Sequence, residues 1–216
     1  MAFDLIIFDM DGTLVDSEPI ANRIFHEHLV ALGLDSGIDE ARVARDLTGL
    51  SLPSCFAFVE RHYGVLLPAD FEAGLQAETF RRLESDLKPI PGVPEILPRI
   101  AQPKCVASSS EPDKIALSLR LCGIDGFFGP HLFSARQVAR GKPHPDLFLH
   151  AAATMGHAPE LCAVIEDSLP GATAGQRAGM TVFAYRPQAD AADDAAFAAL
   201  GCRLLRDMAE LPALLA

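Results

Sequence analysis

No stretch of this chain approaches the roughly 20 consecutive apolar residues that span a bilayer, and its Met-Ala-Phe-Asp start has no basic segment followed by an apolar one. Neither membrane insertion nor secretion is expected, and a cytoplasmic protein is. The five cysteines, Cys55, Cys105, Cys122, Cys162 and Cys202, are odd in number, far apart and without a CxxC pair. That argues against a zinc site or a redox dithiol and for five buried, reduced thiols. Positive charge is scarce: 18 Lys and Arg stand against 29 Asp and Glu, for a formal net charge of −11. Such a field repels nucleic acid and anionic lipid, so neither is expected as a partner, and an anionic small molecule would need local cationic help. Internal repeats are also lacking, and the only low-complexity patch is the Ala/Asp-rich segment 189–200, read as a surface helix.

What is present suits a folded enzyme-sized core. Half of the 216 residues are hydrophobic and 22% are charged, enough apolar material for one core and a modest second lobe. Phe3-Asp4-Leu5-Ile6-Ile7-Phe8 is apolar almost without alternation, as expected of a strand covered on both faces of a parallel sheet. Similar runs recur at Lys104–Ala107, Cys162–Ile165, Thr181–Ala184 and Arg203–Leu205, separated by helix-length segments. Strand and helix in alternation predict an α/β fold with a doubly wound parallel sheet.

Between Asp16 and Pro89 that rhythm stops, and several helical patterns follow one another. Ser17 is a plausible cap for the first, with Pro19 in its opening turn, Ile20, Ile24, Leu29 and Leu32 on one stripe and Gly33 as its stop. Further helices are expected over Asp39–Asp46, Pro53–His62 and Ala69–Leu83, with breaks at Gly49 and Gly64. The organisation predicted is an α/β core from residues 1–15 and 90–216 with an all-helical lobe, 16–89, inserted into it.

The strongest chemical signal is Asp9-Met10-Asp11-Gly12-Thr13-Leu14, which starts where the first buried strand ends. At the carboxyl end of a strand in an open α/β sheet the chain enters the crevice where ligands bind. Two carboxylates so close in an apolar setting need a cation or a shared proton to offset their repulsion. A solvated acidic turn is the bland alternative.

This hexapeptide matches at every position the DxDGT[LV] motif of the haloacid dehalogenase superfamily, which the chain resembles over essentially its whole length. The resemblance implies a Rossmann-like core carrying an inserted cap domain. It implies that Asp9 is a nucleophile forming an aspartyl-phosphate, and that Asp11 protonates the leaving oxygen and later activates water. A dehalogenase would lack the second aspartate, so Asp11 points to phosphoryl chemistry.

The family's three other motifs also have counterparts. After the Cys105-Val106-Ala107 strand stand Ser108, Ser109 and Ser110, where the family places a Ser or Thr whose hydroxyl and neighbouring N–H groups hold phosphoryl oxygens; Ser108 matches best, with Ser109 beside it. Taken alone, a serine triplet is more often a turn or helix cap. Gly141-Lys142-Pro143-His144-Pro145-Asp146 matches the GKPxPD segment, whose lysine neutralises the nucleophile and the phosphoryl group. That role falls to Lys142. His144 occupies the variable position and reads as structural or surface. His26 and His28, two apart on a helix, point in different directions and make poor joint metal ligands.

The fourth motif is Val164-Ile165-Glu166-Asp167-Ser168, a second acidic pair at a strand end, ahead of a helix rich in small residues. By the resemblance, Asp9, the Asp11 main-chain carbonyl and Asp167 would hold Mg²⁺, with Glu166 reaching it directly or through water; an all-oxygen set suits that hard cation. A lobe that closes over the site favours a small phosphate ester over a protein substrate. Gly49, Leu50 and Ser51 are the lobe residues expected to face it, with a polar contact from Ser17. A monomer or weak homodimer is expected.

Within the superfamily the chain looks most like sugar-phosphate and 6-phosphogluconate-type phosphatases, with phosphoglycolate phosphatases close behind. The rival enzyme reading is a phosphomutase of the β-phosphoglucomutase-like group. Those carry a gating histidine where this chain has Ala21 and a substrate-gripping arginine where it has Leu52. A catalytically silent binding protein is a third reading, against which stands the retention of Asp9, Asp11, Ser108, Lys142 and Asp167.

Overall fold

In the computed structural model, residues 3–34, 37–47, 52–188 and 190–215 are described. The chain divides into two compact units, Met1–Asp16 with Lys88–Ala216, and Ser17–Leu87.

The second unit is helical throughout its described elements: α1 (Glu18–Ala31), α2 (Glu40–Leu47), α3 (Leu52–Phe58) and α4 (Phe71–Asp86). Helix α3 runs on into a π-helical turn at Val59–Tyr63, and Gly64, at φ 72°, stops it in the left-handed conformation that glycine adopts without steric penalty. Ile20, Ile24, Phe25 and Leu29 form the buried stripe of α1 and pack with Val43, Cys55, Val59, Phe71, Leu75 and Leu83 into a core of the unit's own. Ser17 stands at the α1 N-cap position but makes no side-chain capping bond, its backbone being helical (φ −92°, ψ −17°) and not extended as such a cap requires. Pro19 does lie in the first turn.

In the first unit six strands, β1 (Leu5–Phe8), β2 (Lys104–Ser108), β3 (Leu132–Ser134), β4 (Cys162–Glu166), β5 (Thr181–Tyr185) and β6 (Arg203–Leu205), form one sheet. The order is β3-β2-β1-β4-β5-β6, and every pairing is parallel. Five of the six occupy the expected runs. The sixth, β3 at the edge, has no counterpart among the expected runs: Leu132-Phe133-Ser134 follows the turn residues Gly129-Pro130 and ends on a serine, a loop-like context.

The connecting helices are α5 (Val93–Ile96), α6 (Pro112–Leu121), α7 (Asp146–Met155), α8 (Leu169–Arg177), α9 (Ala191–Ala199) and α10 (Leu211–Leu214). Leu5, Ile6, Ile7 and Phe8 are all fully buried, which explains the missing alternation. Leu5 and Ile7 pack in one cluster with Leu147, Phe148, Ala151 and Ala152 of α7 and Ala172 and Ala174 of α8. Phe8 meets Phe128 edge-on at 5.9 Å. Truncating Ile7 to alanine would open a cavity worth about 2–5 kcal/mol.

The cysteines divide differently from the expectation. All five are free, with Cys55, Cys105 and Cys162 buried but Cys122 and Cys202 only half-buried. Cys122 caps the C-terminus of α6, and Cys202 immediately precedes the edge strand β6, so both lie where the packed layers end.

This strand order reverses between β1 and β4, the topological switch point where an open α/β sheet leaves a crevice at its carboxyl edge. Phe8 pairs with Val106 on one side and Ile165 on the other. The residues that follow these three strands therefore converge.

Candidate active site

Asp9 leaves β1 with its N–H bonded to the Ile165 carbonyl of β4 at 2.9 Å, so it begins the crevice while still tied to the sheet. Its neighbour across the switch point is Glu166, the last residue of β4. Between the two lies the Lys142 ammonium, 2.5 Å from Asp9 Oδ1 and 2.7 Å from Glu166 Oε1. Lys142 reaches in from the loop before α7, its Nζ over the Phe148 ring at 5.0 Å from the centroid, and the Lys142–Pro143 peptide is cis.

All three side chains are out of water: Lys142 is 5% exposed, Asp9 9% and Glu166 1%. Burial pushes the Asp9 carboxyl up to about 7; the Lys142 ammonium opposes this shift and the Glu166 charge adds to it. For Lys142, burial favours the neutral amine, but Asp9 and Glu166 together outweigh that and raise its affinity for the proton. The cation is held by two carboxylates, one more than it needs.

Glu166 uses both oxygens. Its Oε2 accepts from the Ser168 N–H at 2.6 Å and from the Ser168 hydroxyl at 2.9 Å, and Ser168 Oγ in turn accepts from the Gly171 N–H as the N-cap of α8. The carboxylate lies against the first turn of α8 where only glycine leaves room: a Cβ on Gly171 would stand 1.7 Å from Glu166 Oε1. The small residues after the fourth motif thus include one required by the acid that precedes them.

Asp167 faces the turn after β1. The Thr13 hydroxyl, fully buried, donates to Asp167 Oδ1 at 3.1 Å, and Gly12, at φ 80°, passes so close that a Cβ there would sit 2.3 Å from Asp167 Oδ2. Asp9, Glu166 and Asp167 each offer a carboxylate oxygen, and these lie within 4.8 Å of one another. An all-oxygen set of carboxylates gathered at that separation fits a hard divalent cation.

Asp11 is not part of that cluster. Its carboxylate turns to the loop after β2, where Ser110 Oγ donates to Oδ2 at 2.6 Å and Lys114 Nζ to Oδ1 at 2.8 Å. The two acids of the DxD sequence, expected to crowd each other, are held by different lysines. Neither Ser110 nor Lys114 stood out in the sequence as a partner of an acid. A signal existed for Lys114: it is a cation in the first turn of α6, where the helix macrodipole disfavours positive charge.

Ser108 ends β2 buried, its hydroxyl accepting from the Ser110 N–H at 3.1 Å. Ser109, beside it, is exposed. His26 and His28 bond main-chain carbonyls, those of Ile38 and Ile24. Ser17, Ala21 and Leu52 belong to the helical unit, and Gly49, Leu50 and Ser51 lie outside the described residues.

Comparison with known proteins agrees with this geometry. A family model described as haloacid dehalogenase-like hydrolase matches residues 3–179. The chain is 34% identical over 183 residues to the 6-phosphogluconate phosphatase of Escherichia coli K12, covering 84% of this chain and 82% of that protein. Among solved structures it resembles a conserved haloacid dehalogenase-like protein of unknown function from Agrobacterium tumefaciens, with a TM-score of 0.87, 32% identity and coverage of 99% and 97% of the two chains. It also resembles a HAD family hydrolase from Deinococcus radiodurans crystallised with bound phosphate and sodium, with a TM-score of 0.81, 34% identity and coverage of 99% and 95%. A DxDGT turn at the switch point, a buried lysine between two strand-end acids and these matches lead to one assignment: the chain belongs to the haloacid dehalogenase-like hydrolases.

Proposed function

We propose that this hydrolase is a Mg²⁺-dependent phosphatase of small phosphorylated metabolites, of the sugar-phosphate or phosphogluconate type, working through an aspartyl-phosphate on Asp9. The observation that carries the reading is Asp9 itself, a buried carboxylate at the carboxyl end of the central strand, with an ammonium on one side and two further acids within 4.8 Å. A carboxylate so placed keeps an ammonium beside it and has its solvent removed, and the excess of acid around it is what a bound cation would offset, which suits attack on phosphorus.

Asp9 attacks phosphorus, the ester P–O bond breaks, and its electron pair leaves on an oxygen that takes a proton from Asp11. Water then attacks the acyl phosphate as Asp11 takes its proton back, and the bond to Asp9 breaks to restore the carboxylate. Lys142 keeps positive charge beside Asp9 and the oxygens of the transferring group throughout. Ser108 and the N–H groups after β2 are the candidates to receive those oxygens.

Asp9, the Asp11 main-chain carbonyl and Asp167 are our choices to hold Mg²⁺, with Glu166, whose oxygens also face Lys142 and Ser168, reaching it directly or through water. When bound, the ion would neutralise negative charge that builds on the phosphoryl oxygens. The identity to the Escherichia coli 6-phosphogluconate phosphatase supports the substrate class.

The test is phosphate release from a panel of sugar, polyol, glycolate and nucleotide monophosphates with Mg²⁺. Release from a narrow subset, abolished by EDTA and restored by Mg²⁺, is expected. Release unaffected by EDTA would overturn the metal requirement. No release from any ester, with β-glucose 1-phosphate isomerised instead, would replace the phosphatase by a mutase.

A further inference from the structure

We propose that Lys114 is a positioning residue for the proton-transferring acid Asp11. With Ser110 it holds that carboxylate at the orientation from which it protonates the leaving oxygen. The inference rests on the phosphatase reading above and deepens it.

Several constraints meet on Ser110. Its hydroxyl donates to Asp11 Oδ2 at 2.6 Å and lies 3.0 Å from Lys114 Nζ. Its N–H donates to Ser108 Oγ at 3.1 Å. Its carbonyl accepts from the hydroxyl of Ser134 at 2.6 Å. Ser134, only 1% exposed, ends the edge strand β3 and is locked by a capping box, accepting from the Arg136 N–H and bonding Gln137 through its own N–H. The main chain at Ser110 is thus fixed on both sides, and the grip on Asp11 is set before any ligand arrives.

Lys114 completes the grip from the first turn of α6, 2.8 Å from Asp11 Oδ1 and 22% exposed against 27% for Asp11. Positive charge there opposes the helix macrodipole, so its placement is locally unfavourable and is compensated by the Asp11 carboxylate. Asp11 Oδ1 and Oδ2 are each held by a different donor, one on the loop after β2 and one on the helix that follows it. Each Asp11 oxygen accepts its bond on one lone pair and keeps a second, on which Asp11 must take up the proton it later gives to the leaving oxygen. A carboxyl group held on both oxygens keeps one rotamer, and the transfer needs donor and acceptor within hydrogen-bond reach at the moment the ester bond breaks. Lys142 performs no such duty for Asp11, being committed to Asp9 and Glu166.

A positioning role for a general acid has a signature that loss of structure does not share. An alkyl phosphate needs a proton on its leaving oxygen, whereas a nitrophenyl phosphate departs as a stable anion. We would measure kcat/KM, which reports steps up to transfer of the phosphoryl group, for an alkyl ester from the active panel and for nitrophenyl phosphate, in the wild-type protein, Lys114→Ala, Lys114→Arg, Ser110→Ala and Asp9→Asn. Lys114→Ala should lower kcat/KM on the alkyl ester by about tenfold or more, against about twofold on the nitrophenyl ester, with kcat affected more than KM. Lys114→Arg should recover most of the loss, and Ser110→Ala should show the same preference for the nitrophenyl ester in smaller measure. Equal losses on the two esters, or no loss, with Asp9→Asn inactive on both, would overturn the role of Lys114 and leave the phosphatase reading standing. Full turnover by Asp9→Asn would overturn that reading and this inference together.

Discussion

Lys142 and Glu166 form an ion pair at 2.7 Å in which the acid is 1% exposed and the lysine 5%, and the same ammonium serves Asp9 at 2.5 Å. Removing the cation would leave two buried carboxylates facing each other. Lys142→Met should therefore lower stability by about 3–5 kcal/mol as well as abolish turnover, because an uncompensated buried charge is worse than no ion pair at all. Adding Glu166→Gln to that variant should return part of the stability but not the activity. Urea denaturation of the single and double variants checks both statements, and a Lys142→Met protein as stable as the wild type would show that the triad contributes nothing to the fold.

The contact between α8 and Glu166 predicts an unusually sensitive glycine. A methyl group on Gly171 would stand 1.7 Å from Glu166 Oε1, so either the carboxylate or the helix must move. Gly171→Ala should destabilise by about 1–3 kcal/mol, the range for overpacking, and reduce turnover through displacement of Lys142. If instead the variant gains stability, as alanine normally does inside a helix, then the carboxylate has room that these distances deny it.

Thr13 offers a milder perturbation of the acidic cluster than loss of an acid. Its hydroxyl donates to Asp167 at 3.1 Å, and if Asp167 holds the ion as proposed, removing a group that orients it should change affinity by about 10–100-fold. Thr13→Val should raise the Mg²⁺ concentration for half-maximal activity within that range, and Asp167→Ala should raise it further. An Mg²⁺ titration left unchanged by both substitutions would remove Asp167 from the metal site.

Most of the sheet can be read from the chain because its strands are buried on both faces and so lack alternation, as Leu5–Phe8 and Cys162–Glu166 show. The edge strand Leu132–Ser134 escapes notice because Gly129-Pro130 just before it and the serine that ends it make the segment read as a loop, whereas Arg203–Leu205, equally short, is visible. Asp9, Lys142 and the Glu166–Asp167 pair are visible as motifs adjoining strands. Their arrangement is not, because the pairing of acids with cations is decided by long-range convergence. Two acids spaced i and i+2 suggest mutual repulsion, yet one is matched by a lysine 133 positions away and the other by a lysine 103 positions away. Lys114 is marked only by being a cation in the first turn of a helix, which does not say which acid it meets. The helical unit follows its apolar stripe, with ends displaced by one to a few residues, as where the helix expected over Ala69–Leu83 spans Phe71–Asp86.

In the proposed reaction Asp9 carries the phosphoryl group. Radiolabelled nitrophenyl phosphate mixed with the Asp11→Asn protein and Mg²⁺, quenched in acid and digested, tests it directly, since loss of the acid we propose to activate water should let the intermediate accumulate. The label should be found on the peptide containing Asp9, be released by hydroxylamine as an acyl phosphate is, and be absent from the Asp9→Asn protein. Label on another residue, or turnover by the wild-type protein with none trapped on Asp9 in the Asp11→Asn variant, would contradict the account.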